Sequence, residues 1–386
     1  MRKTTRSLWI VVPAIAIAGI TSVSMAQSND SRPFSRGFVY TESNLLNNSV
    51  LVFNRAADGT LSLAATVPTG GAGGGVVSVG SQGALALSQD RRWLFVANEG
   101  DGSISVMERT PAGLRAVRRV SSGGTLPVSI TVSRNLVYVL NDGVSGSSPA
   151  NITGFYFDDD RGALYPIPNS TRSLSAPSPT PPAIGPIAAE IHFDNTGLLL
   201  YVAEVGTSLI DTYSINFDGT PSEDRIQNSF GNAPFAFAFD PRDNLLVTEV
   251  QESSGAPGPG SVTSYQLKRD GILKTISGSV SDSQAAPCWI VITPNGRYAY
   301  AVNTGSAVIS GYQVAYNGEL SLLGDGVTAQ TARGPLDNAF TRNGRYMYDV
   351  TGGGLIFGYQ VEADGSLTPL NLPVTVPPGS RGLVAE

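Results

Sequence analysis

The sequence contains one cysteine, Cys288, and one histidine, His192, among 386 residues. A single cysteine excludes an intrachain disulfide, and a single histidine excludes a His-rich zinc or copper site within one chain. A Ser-His-Asp triad would have to use His192. Charged residues are also scarce, at 15% of the chain, and the net charge is −6 without any cluster of lysines or arginines. This balance argues against nucleic acid or an anionic membrane as a partner.

Long hydrophobic runs are absent except at the start of the chain. Residues 8–20 are apolar, follow three basic residues, and precede the small residues Ser24 and Ala26. This pattern predicts a secretory signal peptide over 1–26 and a tail over 27–36, and hence a secreted or periplasmic protein without a membrane span after processing. A transmembrane anchor is the alternative, although the run is short for one. Without the three basic residues, 22 basic residues face 31 acidic ones, a charge near −9.

Glycine and proline are abundant, at 44 and 25 residues, which indicates many short strands joined by turns. Residues 85–98 and 290–303 share one pattern: an apolar strand, a tight turn, and a second strand that ends in a small polar group. Both read as antiparallel hairpins with alternating side chains. The chain is therefore built from an internal repeat.

Two markers of the repeat each occur seven times. The second strands of the repeats end at Glu42, Asn98, Asn141, Glu204, Glu249, Asn303 and Thr351. The turns between third and fourth strands contain Gly59, Gly113, Gly162, Gly219, Gly271, Gly318 and Gly365, on average 51 residues apart. Four short strands and their turns fit that period, so the prediction is an all-β, seven-bladed β-propeller of four-stranded blades over 37–386.

The two ends of the chain predict how the ring closes. The first blade begins at 37–40 with its second-strand pattern, and no inner strand precedes it. Residues 379–385 match 80–86, the approach to the inner strand of the second blade. The C-terminal strand is therefore expected to complete the first blade and close the ring, leaving only short, protected edges.

One face of the disc is expected to carry function. Consecutive strands are antiparallel, so loops that enter first strands and loops that leave second strands share a face. The long insertions at 68–80, 142–150, 169–185 and 251–260 fall there, whereas the other face has mostly tight turns. Elaborated loops on a rigid scaffold often bind ligands or partners. Neutral drift in Gly/Pro/Ser-rich loops is the alternative.

The same looped face is predicted to carry a set of polar side chains at the strand ends. They are Glu42, Asn98, Glu99, Asn141, Asp142, Glu204, Glu249 and Asn303. Carboxylates and amides in such a place can hold a polar small molecule, a protein or a cation. Alternatively they cap turns and bond loop backbone. Glu204 and Glu249 share a local pattern in adjacent blades and form the strongest pair. A monomer is expected.

The chain resembles the seven-bladed lactonase family, which includes bacterial 6-phosphogluconolactonase and fungal carboxymuconate-lactonising enzyme. The resemblance covers nearly the whole chain after the signal peptide. It rests on the blade patterns, on Pro-Asn-Gly-Arg-Tyr at 294–298, on Ala-Asp-Gly-Ser-Leu at 363–367, and on the closing segment. It implies a propeller fold and activity on lactones, with no cofactor and no metal expected.

The sequence departs from that family where active members place histidine and arginine. The Pro-His-Ala-His stretch corresponds to Pro-Ile-Ala-Ala at 186–189, and Gly-Pro-Arg-His corresponds to Ala-Pro-Phe-Ala at 233–236. An Asn-Arg pair corresponds to Asn303 and threonine. The Asp-Leu-Gly turn is partly matched by Glu204-Val-Gly, and Glu249 retains an acidic position. Lactone chemistry needs a general acid or base and a positive group for the oxyanion, so these departures bear directly on activity.

Three further features have a functional and a structural interpretation. His192 is either a displaced general base or a histidine bonded within its strand. Cys288 is either a reactive thiol or a buried, inert one, and no basic neighbour in the sequence would activate it. The acidic run at 158–160 could bind calcium but is typical of a solvated turn.

Two functions follow from the sequence. The first is a secreted propeller that binds a ligand or partner at the looped face without catalysis. The second is a lactone hydrolase or lactonising isomerase with a rearranged site, in which Glu249, Glu204 and His192 are the candidate catalytic residues. Whether the protein is an enzyme is left open at this stage.

Overall fold

The computed structural model describes residues 37–75, 82–143, 148–175, 187–250, 252–253, 256–257, 259–370 and 373–386. The predicted signal peptide and tail, 1–36, lie outside the described residues. Within the described part, the chain has no helix with the length and apolar character needed to cross a membrane.

The secondary structure is almost entirely β. The strands are β1 Gly37–Glu42, β2 Ser49–Arg55, β3 Leu61–Pro68, β4 Leu85–Leu87, β5 Trp93–Asn98, β6 Ser103–Thr110, β7 Gly113–Ser121, β8 Pro127–Ser133, β9 Leu136–Asn141, β10 Asn151–Asp158, β11 Ala163–Pro166, β12 Arg172–Ser173, β13 Ala188–Phe193, β14 Leu199–Glu204, β15 Leu209–Ser214, β16 Arg225–Asn228, β17 Pro234–Phe239, β18 Asn244–Glu249, β19 Glu252–Ser253, β20 Ala256–Pro257, β21 Pro259–Leu267, β22 Leu273–Ala285, β23 Pro287–Ile292, β24 Tyr298–Asn303, β25 Val308–Val314, β26 Leu320–Leu322, β27 Ala329–Gln330, β28 Pro335–Phe340, β29 Tyr346–Thr351, β30 Leu355–Val361, β31 Leu367–Pro369, β32 Val374–Thr375 and β33 Arg381–Ala385. One 3-10 turn, Glu99–Asp101, follows β5.

The strands assemble into seven antiparallel blades, each with four main strands from the inside outwards. Blades 1 to 7 are β33-β1-β2-β3, β4-β5-β6-β7, β8-β9-β10-β11, β13-β14-β15-β16, β17-β18-β21-β22, β23-β24-β25-β26 and β28-β29-β30-β31. Short strands β12, β27 and β32 extend blades 3, 6 and 7 by pairing with their third strands, and β19 and β20 form a separate hairpin in the loop of blade 5. The predicted seven-bladed propeller is confirmed.

The C-terminal strand closes the ring as predicted. Strand β33 pairs antiparallel with β1, with Val39 opposite Ala385 and Thr41 opposite Leu383. The inner strand of blade 1 therefore comes from the last residues of the chain, while its other three strands come from the first described ones. Removing either end would leave blade 1 incomplete.

The seven turn glycines also hold a common position between third and fourth strands. All have positive φ, from +58° at Gly162 to +119° at Gly113. Tyrosines on second strands reach the turn of the next blade: Tyr138 Oη donates to the Gly219 carbonyl at 2.6 Å, and Tyr348 Oη donates to the Gly59 carbonyl at 2.6 Å. The repeated glycine thus serves both the turn and the contact between neighbouring blades.

Candidate functional site

The registers between first and second strands place the predicted residues on one face. Pro127 pairs with Asn141, and Ala188 pairs with Glu204, so each inner strand begins beside the end of the second strand. The first long insertion starts on this face as well, because the Asn48 N–H donates to the Gly71 carbonyl at 3.0 Å. In blades 3 and 4 the ends of the second strands therefore lie beside the starts of the inner strands, as the sequence predicted.

The ends of the second strands are buried rather than open to solvent, since all seven have 0% exposure. Asn98 Nδ2 donates to Ser103 Oγ at 3.1 Å and to Ser105 Oγ at 2.8 Å. Asn303 Nδ2 donates to Ser310 Oγ at 2.8 Å. These amides join the second strand of a blade to its third strand, which is the structural interpretation of the pattern.

Asn141 follows the same pattern in blade 3. Its Nδ2 donates to Asn151 Oδ1 at 3.1 Å and to the Ser122 carbonyl at 3.3 Å. The partner residues belong to the third strand and to the loop before blade 3. The side chain thus stabilises the blade from within.

The Glu249 carboxylate is occupied by three donors. The Gly231 N–H lies 2.8 Å from Oε1, while Ser261 Oγ and Ser279 Oγ lie 2.6 and 2.7 Å from Oε2. The side chain is fully buried. Glu249 therefore joins three segments of blade 5, and its predicted catalytic role requires these bonds to be given up.

Glu204 is held in a similar way in blade 4. Its Oε1 accepts the Ser175 N–H at 2.9 Å, and its Oε2 accepts the Thr207 hydroxyl at 2.5 Å. A second buried acid, Asp211, lies next to it. Burial, together with the charge of Glu204, raises the pKa of Asp211 to about 9. Glu204 therefore has an acidic neighbour within its own blade.

His192 lies on β13, with surroundings that favour its neutral form. Nδ1 contacts the Phe193 carbonyl at 2.5 Å, and the ring lies 5.7 Å from the ring of Phe239 on the next inner strand. The side chain keeps solvent-accessible area, but surrounding protein desolvates the imidazole and lowers its pKa. Its catalytic role stays a prediction, and its contacts match those of a histidine bonded within its strand.

Glu42 and Glu99 come together around a residue that the sequence did not single out. Arg381 Nε lies 3.0 Å from Glu42 Oε1, and its Nη1 lies 2.9 Å from Glu99 Oε2. Glu42 also accepts Asn48 Nδ2 at 2.6 Å, and the same nitrogen lies 3.1 Å from Asn98 Oδ1. Burial raises the pKa of Glu42 to about 7 against the opposing effect of Arg381. We call Arg381, Glu42 and Glu99 the closure cluster.

Asp142 differs from the rest of the predicted set because it retains accessible surface. Its Oδ1 accepts the Ala188 N–H at 2.6 Å, which links blade 3 to the inner strand of blade 4. Burial raises its pKa, and the charge of Glu99 adds to this effect. Asp142 is therefore a charged residue of the predicted set that a ligand could reach.

Two acids on inner strands were missed by the sequence analysis. Glu190 and Asp337 occupy the same register, one residue before the end of the paired second strand, where blade 3 has Ser129. Burial raises the pKa of Asp337 to about 7 and that of Glu190 well above its usual range. The charge of Asp337 raises the pKa of Glu190 further, whereas the charge of Arg381 and backbone hydrogen bonds lower that of Asp337. Glu190 could have been identified from the sequence, because it is an acid within the largely apolar strand at 188–193.

These inner-strand side chains cap the exposed edge of the next inner strand. Ser129 Oγ accepts the Ile191 N–H at 3.2 Å, Glu190 Oε2 accepts the Phe237 N–H at 2.6 Å, and Asp337 Oδ2 accepts the Leu383 N–H at 3.1 Å. The hydrogen bonds run from blade to blade around the centre of the ring. They satisfy backbone groups that a free strand edge would leave open.

Gln82 provides a contact of a different kind. Its Nε2 donates to the Ile290 carbonyl and its Oε1 accepts the Ile290 N–H, both at 3.0 Å. Its own N–H donates to the Ala189 carbonyl at 3.2 Å. One residue before blade 2 thus binds the inner strands of blades 4 and 6. The sequence contained an indication of these contacts. Segments 80–83 and 379–382 share one pattern, in which Gln82 and Arg381 each place a long polar side chain before a glycine.

Ala189, Phe235 and Ala236, which the sequence comparison set against histidine and arginine, are apolar and pack inside the ring. Phe235 packs edge-on against Trp289 with ring centroids 5.4 Å apart, and Ala189 and Ala236 are fully buried. Cys288 is likewise buried, at 7% exposure. Neither Glu204 nor Glu249 gains a new cationic neighbour from these positions.

The opposite, tight-turn face carries the acidic run at 158–160. The three carboxylates have oxygens within 4.8 Å of one another, and Asp158 pairs with Arg161 at 2.6 Å. Two clefts of about 500 and 600 Å³ lie beside this turn and share Arg134 and Tyr156 in their linings. The sequence analysis did not predict these clefts.

Comparison with known proteins matches the architecture. The family "Lactonase, 7-bladed beta-propeller" matches residues 35–181 and 169–257, more than half of the chain. No curated protein sequence matches it. A proposed 6-phosphogluconolactonase of Bacteroides fragilis is 18% identical, with a TM-score of 0.72 over 92% of this chain and 99% of the other. A periplasmic gluconolactonase of Pseudomonas aeruginosa is 15% identical, with a TM-score of 0.71 over 90% and 98%. At these identities the likeness is one of fold.

Proposed function

Because the chain belongs to the lactonase family of seven-bladed β-propellers, we propose that it is an exported member that binds a small polar ligand at its looped face without hydrolysing it. The observation that carries this proposal is the state of the two candidate carboxylates. Glu249 is fully buried and accepts three hydrogen bonds, and Glu204 is fully buried and accepts two. A general base must instead reach the proton that it removes.

The surroundings of these carboxylates support the same proposal. Opening a lactone develops negative charge on an oxygen, and a nearby cation or a set of N–H donors must stabilise it. Phe235 and Ala236 stand where the family resemblance places arginine and histidine. Arg381, the buried cation of the looped face, is already shared between Glu42 and Glu99.

The charge of the looped face favours a neutral or cationic ligand. Asp142, Glu190 and Asp337 have raised pKa values, and neighbouring acids contribute to two of these shifts. The segments 76–81 and 176–186 of the insertions contain no charged residue in the sequence. A phosphorylated sugar would therefore meet like charge at Asp142. Its unphosphorylated counterpart would not.

Export is part of the proposal. It is supported by the sequence pattern at 1–26, and the periplasmic gluconolactonase of Pseudomonas aeruginosa has the same fold. The acidic balance of the chain supports the absence of nucleic acid from its partners. We further propose that the protein acts as a monomer.

Lactone hydrolysis, or a related isomerisation, at a rearranged site is the second candidate function. Family membership favours it, and so do neighbours in fold that are described as lactonases. In that case Glu249, Glu204 or His192 would act as the base after a change in its hydrogen bonds.

One set of assays separates the two functions. The protein without residues 1–26 is incubated with gluconolactone, 6-phosphogluconolactone and muconolactone, beside Glu249→Gln and Asp142→Asn. We expect no turnover above the spontaneous rate. Turnover that is lost in Glu249→Gln, with folding verified by circular dichroism, would establish the second function.

Calorimetric titration with glucose and glucose 6-phosphate tests the binding proposal separately. We expect the neutral sugar to bind more tightly, and Asp142→Asn, which alters an accessible acid, to narrow the difference in affinity. Tighter binding of the phosphorylated sugar would contradict the electrostatic argument. It would leave the question of turnover to the first assay.

A further inference from the structure

Blade 4 departs from blades 2 and 6 at one pair of buried positions. In blade 2, Asn98 at the end of the second strand donates to Ser105 on the third strand, at 2.8 Å. In blade 6, Asn303 donates to Ser310 in the same register, also at 2.8 Å. These are neutral pairs in which each hydrogen has an acceptor.

The same two positions in blade 4 hold two carboxyl groups. Glu204 ends the second strand, and Asp211 lies on the third strand opposite Val202. In blades 2 and 6 the corresponding serines lie opposite Val96 and Ala301, which confirms that the registers match. A hydrogen-bonded amide and hydroxyl are thus replaced by two acids.

This pair of acids has fewer hydrogen-bond donors around it than its oxygens require. Asp211 is fully buried, and among the described residues neither of its oxygens receives a hydrogen bond. The buried hydroxyl of Tyr213, two residues along the same strand, also lacks an acceptor. Glu204 already uses Oε1 for the Ser175 N–H and Oε2 for Thr207. Buried polar atoms without partners are costly, so the arrangement needs a further hydrogen or cation.

We propose that Glu204 and Asp211 share one proton, as a carboxylic acid–carboxylate hydrogen bond that joins the second and third strands of blade 4. With the proton on Asp211, its hydroxyl donates to Glu204, and Tyr213 can donate to the remaining oxygen of Asp211. One proton therefore allows both oxygens of Asp211 and the Tyr213 hydroxyl to find partners. It also removes one of two like charges from a buried position.

The residues around the pair favour a proton over a metal ion. Calcium requires six to eight oxygen ligands, and both oxygens of Glu204 already accept hydrogen bonds. Val202 belongs to an apolar cluster with Leu140 and Ile152 of blade 3, and these aliphatic side chains supply no ligands.

The charged groups that act on Asp211 are both acids of blade 4, Glu204 and Asp224, and both raise its pKa. The Tyr213 hydroxyl acts in the opposite direction but carries no charge. Tyr138, the titratable residue of the blade 3 cluster, spends its hydroxyl on the Gly219 carbonyl at 2.6 Å. Acidic neighbours favour retention of the proton.

The shared proton makes the stability of blade 4 depend on pH. The pKa of Asp211 rises from its usual 3.8 to about 9 on folding, so the folded chain holds a proton that the unfolded chain releases. The stabilisation is complete below about pH 4 and is lost as the pH rises through about 9. Over that window the pair lowers the folding equilibrium constant about tenfold per pH unit. Loss of the shared proton would also affect Glu204, which accepts the Ser175 N–H at the start of the insertion before blade 4.

Asp211→Asn provides the test, because an amide keeps a donor towards Glu204 at every pH. Urea unfolding of the natural protein and of the variant is measured at constant temperature from pH 5 to pH 8. We expect the ratio of their folding constants to change about tenfold per pH unit. Parallel pH profiles would overturn the proposal. Glu204→Asn/Asp211→Ser, the pair of blades 2 and 6, should behave like Asp211→Asn.

Two further measurements do not depend on the stability of the variants. At pH 8 the infrared difference between the natural protein and Asp211→Asn should contain the carbonyl band of a protonated carboxylic acid, and its absence would overturn the proposal. Millimolar calcium should leave the urea midpoint of the natural protein unchanged. A calcium-dependent increase that Asp211→Asn abolishes would instead identify a cation site and contradict the shared proton.

Discussion

The ion pairs at the tight turns of blades 2 and 3 differ in burial from those of the closure cluster. On the tight-turn face, Arg161 pairs with Asp158 while 70% of its side chain is exposed, and Arg92 pairs with Glu108 at 45% exposure. On the looped face, Arg381 is 2% exposed and is shared between two buried glutamates of the closure cluster. When an exposed ion pair loses one partner, water solvates the remaining charge. In the closure cluster the remaining charge would stay buried without water.

This difference indicates where stability and function are coupled. On the tight-turn face, Arg161 and Arg92 are largely solvated, although Asp240 on the same face is buried and pairs with Arg242 at 2.8 Å. Acids near the centre of the looped face cap strand edges, close the ring and join strands, as Asp337 does by accepting the Leu383 N–H. A ligand at that face would therefore act on groups that also hold the fold together. Three predictions test the contrast, beginning with the largest effect.

Deletion of residues 379–386 should abolish cooperative folding. The deletion removes the whole inner strand of blade 1, and with it the edge partner of β1 and the cation of the closure cluster. Glu42 and Glu99 would then be buried without a counter-charge. Thermal unfolding followed by circular dichroism, together with gel filtration, measures the effect. An unchanged melting temperature would show that blade 1 is stable with three strands.

The sequence was sufficient to predict the frame of the molecule. The seven strand ends and seven turn glycines have local causes: alternating side chains mark a strand, and a positive φ favours glycine. These causes repeat once per blade, so errors in one copy are corrected by the others. The closing strand was predictable for the same reason, because 379–385 copies the pattern at 80–86.

The site was less predictable because burial at the looped face is decided by distant segments. Glu249 looked like a free acid in the sequence, but Ser261 and Ser279 from later strands occupy it. Gln82 binds Ile290, which lies 208 residues away. No local pattern carries such contacts. Asp337 and Arg381 were missed because their importance appears only once the inner strands lie side by side.

Replacement of Arg381 should destabilise the protein far more than replacement of an exposed arginine on the tight-turn face. Arg381→Met leaves two buried carboxyl groups without their cation, and the expected cost is about 3–5 kcal/mol in the free energy of unfolding, measured with urea at pH 7.5. Arg161→Ala is the matched change on the tight-turn face. Its ion pair is exposed, so its urea midpoint should stay within experimental error. Equal losses in the two variants would remove the distinction between the faces.

The pH dependence of stability should also reflect the looped face. Folding raises the pKa of both Glu42 and Asp337 to about 7, above the usual range of carboxyl groups, chiefly through burial. The folded chain then holds more protons than the unfolded chain, so stability is greatest below about pH 5 and declines as the pH rises through 7. Each such proton contributes a slope of about 1.4 kcal/mol per pH unit between those limits. Asp337→Asn should reduce the slope measured by urea unfolding between pH 5 and 7, whatever its effect on stability at one pH. If the variant keeps the full slope, Asp337 is ionised in the folded protein, and the acids at the centre of the ring are as well compensated as those on the tight-turn face.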